Sequence, residues 1–222
     1  MQTQKPKQVL IFDFDGLIVD TESIGVDEFE KAFTKVGLTF DVNAFVKLVG
    51  TASEGEYDPW KVYFDHAGND NAEEVQAQFN LAIDEAVKQA KPLEGVLELI
   101  EQAKAKDILL AVGSSSRKAW VYPKLEHFGI LDKFDTIVTF DNVSRGKPSP
   151  DIFLKILERL QVEPENALVL EDSANGVLAA NRAGIRVVVV PNPITMREDH
   201  SRATYMLPSL KNLQLTDYFQ IK

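Results

Sequence analysis

Five short apolar runs, rich in β-branched residues and each ending in polar, Gly or Pro residues, constrain this chain more than any other feature. They are Val9 to Phe14, Ile108 to Val112, Thr136 to Phe140, Ala167 to Leu170 and Arg186 to Val190. Runs that stay apolar at consecutive positions suit strands covered on both faces, as in a parallel sheet. Between them, Leu93 to Lys106, Ile152 to Leu160 and Gly176 to Ala183 carry apolar residues at helical spacing, and Gly184 follows the last as a helix stop. The alternation predicts β-α-β units joined by right-handed crossovers, and so an α/β fold built on a doubly wound parallel sheet.

One interval breaks the alternation. The 70 residues from Glu22 to Lys91 contain no convincing strand, only helix-like stretches such as Asp27 to Val36 and Ala72 to Gln89. That is too long for a crossover, so an inserted all-helical cap domain is expected over 22–91, with the α/β core formed by 1–21 and 92–222. The hinges should lie near Asp20 to Ser23 and Lys91 to Gly95. The cap holds 14 acidic and 6 basic residues, so most of the chain's net charge of −10 sits there.

Ligands of open parallel sheets bind outside the carboxyl ends of the strands, so those ends carry the chemistry. The first ends in Asp13-Phe14-Asp15-Gly16, the second in Gly113-Ser114-Ser115-Ser116 and the fourth in Glu171-Asp172-Ser173, while Gly146-Lys147-Pro148 precedes the Ile152 helix. Asp13 and Asp15, two apart at the end of an extended run, point the same way and repel unless a positive charge relieves them. Collected at one edge, these segments supply four carboxylates, a hydroxyl cluster and one lysine. Such a set suits phosphate together with Mg²⁺, which takes few protein oxygens and completes its shell with water and substrate. Taken alone, Ser114 to Ser116 and Glu171 to Ser173 would serve equally as helix caps, and Lys147 as a turn lysine.

The charge balance works against two partner classes. A pI near 4.8 disfavours nucleic acid backbones and anionic membranes, and no run approaches the ~18 apolar residues of a membrane span. With no cysteine there is no disulfide, thiolate metal site or thiol nucleophile, which suits a reducing compartment. The expectation is a cytoplasmic monomer acting on a small ligand.

The stretches DFDGLIVDTE, VGSSS, GKPSPD and LEDSANG, in this order and spacing, resemble the four motifs of the haloacid dehalogenase-like superfamily. More narrowly, the chain is similar to capped phosphatases and β-phosphoglucomutases, and the likeness runs from Val9 to about Pro191. It implies a Rossmann-like core and a Mg²⁺-dependent phosphatase of small phosphorylated metabolites such as sugar phosphates. It also implies roles. Asp13 would be the nucleophile that becomes an aspartyl phosphate, and Asp15 the general acid and base. Lys147 and Ser114 would steady the transferring phosphoryl group. Asp13, Asp15 through its carbonyl, Asp172 and Glu171 would hold the metal. Gly16, Thr21 and Ser115 would border the substrate, and apart from the resemblance Lys47 or Lys61 of the cap could add a point charge there.

The same likeness leaves a β-phosphoglucomutase-like phosphohexomutase as the alternative. Mutase-like members use a cap His and Arg, and the corresponding places here are Gly25 and Ser53, with no arginine before Arg117. Arginine is what clamps a distal phosphate bidentately, so phosphatase is the preferred reading. A metal-free dehalogenase is disfavoured by Asp15, and a non-catalytic binding protein by the presence of every motif residue. His66, His127 and His200 lack metal-site spacing and read as structural, and Trp60 reads as a cap core residue.

Overall fold

The computed structural model describes residues 6–50 and 57–219. Its centre is a six-stranded, wholly parallel sheet in the order β3-β2-β1-β4-β5-β6. The strands are β1 (Val9–Phe12), β2 (Leu109–Gly113), β3 (Thr136–Val138), β4 (Ala167–Glu171), β5 (Arg186–Val189) and β6 (Tyr205–Met206). In the innermost strand, Val9 pairs with Leu109 on one side and Ala167 on the other, and Phe12 with Val112 and Leu170. Alternate side chains then enter opposite cores. Leu10 and Phe12 pack with Leu110, Val112, Leu168 and Leu170, whereas Val9 and Ile11 pack with Ala111, Val169 and Val187.

Each face is closed by helices whose apolar stripe matches it. On the first lie α5 (Val96–Ala105) and α6 (Lys118–His127), through Leu99, Ile100, Val121 and Leu125. On the second lie α7 (Asp151–Leu160) and α8 (Ala174–Arg182), through Phe153, Ile156, Val177 and Ala180. Burying side chains of this size contributes roughly 1.5–3 kcal/mol each, which is why the sheet is the rigid platform of the molecule. The chain winds from β1 to β2 and β3 on one side and resumes at β4 on the other. The reversal lies between β1 and β4, where such sheets form their binding crevice.

Between β1 and α5 come α1 (Thr21–Lys35), α2 (Val42–Val46), α3 (Pro59–Ala67) and α4 (Ala72–Gln89). They bury a separate cluster dominated by aromatic rings: Phe29 stacks on Phe40 at 5.0 Å and meets Phe79 at 4.4 Å and Trp60 at 5.3 Å. Trp60 is therefore part of a packed core, as its sequence context indicates. The far end of α4 behaves differently, since Ile83 and Val87 pack with the sheet's first core. The two chain crossings are tied where the Leu93 N–H donates to the Ile18 carbonyl at 2.8 Å. No described helix is long and apolar enough to cross a membrane.

Several boundaries differ from the sequence expectation. The first strand stops at Phe12, because Phe14 to Val19 folds into a tight loop with Ile18 N–H on Phe14 O. Phe140 belongs to a 3₁₀ turn capped by Thr139 rather than to β3. Helix α1 begins at Thr21, capped by the Asp20 carboxylate on Ser23 N–H at 3.0 Å.

Candidate active site

The loop after β1 brings Asp13 into a buried ion-pair system. Lys147 Nζ donates to Asp13 Oδ1 and to Glu171 Oε1, both at 2.6 Å, and all three side chains are at most 5% exposed. The second Glu171 oxygen accepts from Asp172 N–H at 3.1 Å, Ser173 N–H at 3.3 Å and Ser173 Oγ at 3.1 Å. Glu171 is thereby fixed as the anchor of Lys147. Asp172 is held from one side only: Asn192 Nδ2 donates to its Oδ2 at 2.8 Å, while its buried Oδ1 has no partner among the described residues.

Asp15 is satisfied differently. Its carboxylate accepts from Ser116 Oγ at 2.6 Å, Trp120 Nε1 at 2.7 Å, Thr21 Oγ1 at 3.1 Å and Ser114 Oγ at 3.3 Å. The repulsion between the paired aspartates is thus relieved by Lys147 on one and by neutral donors on the other. Gly16 follows at φ +75°, and a Cβ there would lie 2.1 Å from Asp172 Oδ2, so no other residue fits the turn.

Burial and neighbouring charge together shift these groups. Burial, then the neighbouring Glu171, push Asp13 up to about 8 against the pull of Lys147. Burial and the same carboxylates raise Asp172 well above the usual range. Burial alone would lower the Lys147 ammonium, but Asp13 and Glu171 overcome it and raise it. Three carboxylates share one ammonium, and one ligand atom from each of Asp13, Glu171 and Asp172 lies within 4.8 Å of the others. An excess of buried negative charge with an unpartnered oxygen, Asp172 Oδ1, is what a divalent cation would relieve, so the donor set fits a hard ion such as Mg²⁺.

Above this cluster lies a cavity of about 260 Å³, bordered by Asp13, Asp15, Thr21, Ser114 to Ser116 and Lys147 from the sheet side. The helical segment closes it with Glu22, Phe45, Leu48, Val49 and Gly50. Ser115 faces it with its hydroxyl already engaged, donating to Gly50 O at 3.2 Å and accepting from Lys147 N–H at 3.1 Å. Lys47 and Lys61 are not in the lining. Lys47 is exposed, and Lys61, 70% exposed, pairs with Asp65 along α3. Gly25 has open space around it, and Ser53 lies outside the described residues. The three histidines each hydrogen-bond a backbone carbonyl, of Val36, Lys88 and Thr195 respectively.

Sequence reasoning passed over three residues the structure brings to the site. Glu22, partly buried, lines the cavity, and burial, then Asp15 and Asp13, hold its carboxyl well above the ordinary range. Its place as the last residue of DFDGLIVDTE was the available signal. Asn192 and Trp120 carry no such signal: one lies beyond the last motif and the other inside a helix without clear periodicity.

The sequence profile described as haloacid dehalogenase-like hydrolase matches residues 10–190. The candidate phosphatase YhcW of Bacillus subtilis (strain 168) is 32% identical over 215 residues, which cover 95% of this chain and 97% of that protein. The phosphorylated carbohydrates phosphatase of Thermotoga maritima is 31% identical over 183 residues, covering 80% and 82%. A variant of CbbY from Rhodobacter sphaeroides, solved with xylulose-(1,5)bisphosphate, superposes with a TM-score of 0.75 at 27% identity, covering 96% of this chain and 99% of that one.

Proposed function

The chain belongs to the haloacid dehalogenase-like hydrolase family, and from that premise we propose that it is a Mg²⁺-dependent phosphatase of a small phosphorylated metabolite, with sugar monophosphates as the substrate class. The observation that carries this is the floor of the cavity, where Asp13 and Lys147 pair in the lining and a carboxylate oxygen of Asp172 lies within 4.8 Å of Asp13. The names of the T. maritima enzyme and of YhcW support the reaction class.

Asp13 attacks phosphorus as the ester oxygen departs with its electron pair, and the phosphoryl group rests on Asp13 as an aspartyl phosphate. Asp15 gives its proton to the departing oxygen, then takes one from the water that releases phosphate. Lys147 holds Asp13 in place and stabilises the transferring oxygens, with Ser114 at the same rim. Asp13, Asp172 and the Asp15 carbonyl would hold the cation, with Glu171 acting mainly through Lys147. When bound, Mg²⁺ supplies positive charge against the phosphoryl oxygens. Residues 22–91 are read as a lid that keeps water from the acyl phosphate until the leaving group has gone.

Monophosphates are favoured over bisphosphates and over mutase chemistry by the cavity's charge. Lys147 is the only cationic side chain among the described residues lining it, and the sequence of 51–56, TASEGE, contains no base. Glu22 suits hydroxyls of the leaving group instead. The test is Mg²⁺-dependent phosphate release from a panel of sugar phosphates, polyol phosphates and xylulose 1,5-bisphosphate. We expect monoesters to be hydrolysed, the bisphosphate to be poor, and Asp13→Asn to abolish turnover in a folded protein. Normal activity of that variant, or isomerisation of β-glucose 1-phosphate without net release, would overturn the reading.

A further inference from the structure

Of the four donors on the Asp15 carboxylate, three are hydroxyls of Thr21, Ser114 and Ser116, which accept as well as donate: Thr21 Oγ1 also accepts from Gly16 N–H at 3.1 Å and Ser114 Oγ from Ser116 N–H at 3.0 Å. The fourth is the indole N–H of Trp120, a donor only, fixed in the ring plane and 2.7 Å from Asp15 Oδ1. A carboxyl group that delivers a proton along one direction is aimed by such a partner, because a hydroxyl can turn its hydrogen to another acceptor and the indole N–H cannot leave the ring plane.

The indole is itself held. One turn further along α6, Lys124 places its Nζ 3.2 Å from the centre of the Trp120 ring. That ammonium is almost wholly buried, at 9% side-chain exposure, and ion-pairs with Asp84 of α4 at 2.8 Å. Turning the indole away would strip a buried cation of its aromatic face. Asp84, Lys124, Trp120 and Asp15 thus form one continuous chain of contacts, from the α4 helix packed over the sheet to the carboxyl group at the cavity.

We propose that Trp120, clamped by the Lys124–Asp84 pair, is a positioning residue that aims the Asp15 carboxyl at the departing oxygen of the substrate. This rests on the reading of Asp15 as general acid. In the step concerned, the P–O bond breaks with its electron pair going to the leaving oxygen, and that oxygen takes the proton from Asp15. An alkoxide leaving group requires the proton. A p-nitrophenolate leaves without it, so the two ester types separate proton delivery from everything else the site does.

The experiment compares kcat/KM, which reports steps through formation of the aspartyl phosphate, for glucose 6-phosphate and p-nitrophenyl phosphate in wild type and Trp120→Phe. We expect the alkyl ester to lose about ten- to a hundredfold, part of the contribution of a general acid, and the aryl ester less than about threefold. Equal losses for both esters, or no loss for either, would overturn the assignment. Wild type inactive on both esters would instead sink the phosphatase reading. A second measurement needs no Trp120 variant and no activity. The chain has two tryptophans, so its ¹H–¹⁵N spectrum carries two indole resonances. That of Trp120 should shift in Asp15→Ala while that of Trp60 stays. A Trp120 resonance indifferent to Asp15 would refute the hydrogen bond on which the proposal stands.

Discussion

At the scale of single residues, the site is a problem of placing three buried carboxylates around one buried ammonium. Small residues make this possible. A Cβ on Gly176 would fall 1.9 Å from Glu171 Cδ and Oε1, so the glycine of LEDSANG leaves the space in which Glu171 reaches Lys147. Gly176→Ala should therefore displace Glu171, costing about 1–3 kcal/mol as overpacking does and cutting activity more than tenfold. Urea denaturation and a phosphate-release assay would check both, and a variant of full stability and rate would show that the loop yields freely. Asp13, Asp15 and Asp172 were legible in the sequence because they follow apolar strand runs, and Lys147 because its GKPSPD stretch resembles a family motif. Which oxygen of Asp172 is left unpartnered was not legible, because that depends on Asn192, 20 residues further along the chain.

At the scale of elements, legibility followed apolar periodicity. Helix α4 was read at its exact ends, Ala72 to Gln89, because its apolar face repeats regularly over 18 residues. Helix α6 was given no bounds: its apolar positions follow no helical period and it carries Pro123 in its interior, yet it delivers Trp120 and Lys124. Strand β6 was missed because it is two exposed residues long, too short for any alternation. The closing of the helical segment is likewise a matter of tertiary contacts. The segment ending α2 meets the core through the carbonyls of Val49, bonded by Asn175 Nδ2 at 2.8 Å, and Gly50, bonded by Ser115 Oγ. Asn175→Ala removes one such bond, worth about 0.5–1.5 kcal/mol, and should raise KM roughly two- to tenfold with kcat little changed. Steady-state kinetics would show it, and an unchanged KM would mean that this contact does not hold the segment over bound substrate.

At the scale of the whole molecule, the charge concentrated under the cavity governs stability. Asp13 is raised from 3.8 to about 8 by burial and by Glu171, and burial also raises Asp172. A carboxyl group raised in the folded state favours folding while it is protonated, so that contribution is complete below the unfolded value and is lost as pH climbs through the folded one. The metal-free protein should accordingly lose thermal stability between about pH 4 and pH 8. Millimolar Mg²⁺ should restore more of it at pH 8 than at pH 5, since it binds the ionised form. Asp13→Asn should flatten the pH dependence. Melting curves across that range would decide, and a melting temperature that rises with pH in the metal-free protein would contradict the account. By itself the sequence determined the parallel sheet, the helical stretch between its first two strands and the residue types at the cavity floor, because hydrophobic period and strand-end chemistry are local properties. Tertiary structure alone decided that Lys47 and Lys61 stand outside the cavity, that Glu22 enters it, and that Trp120 grips Asp15, because direction and distance between segments are fixed only by packing.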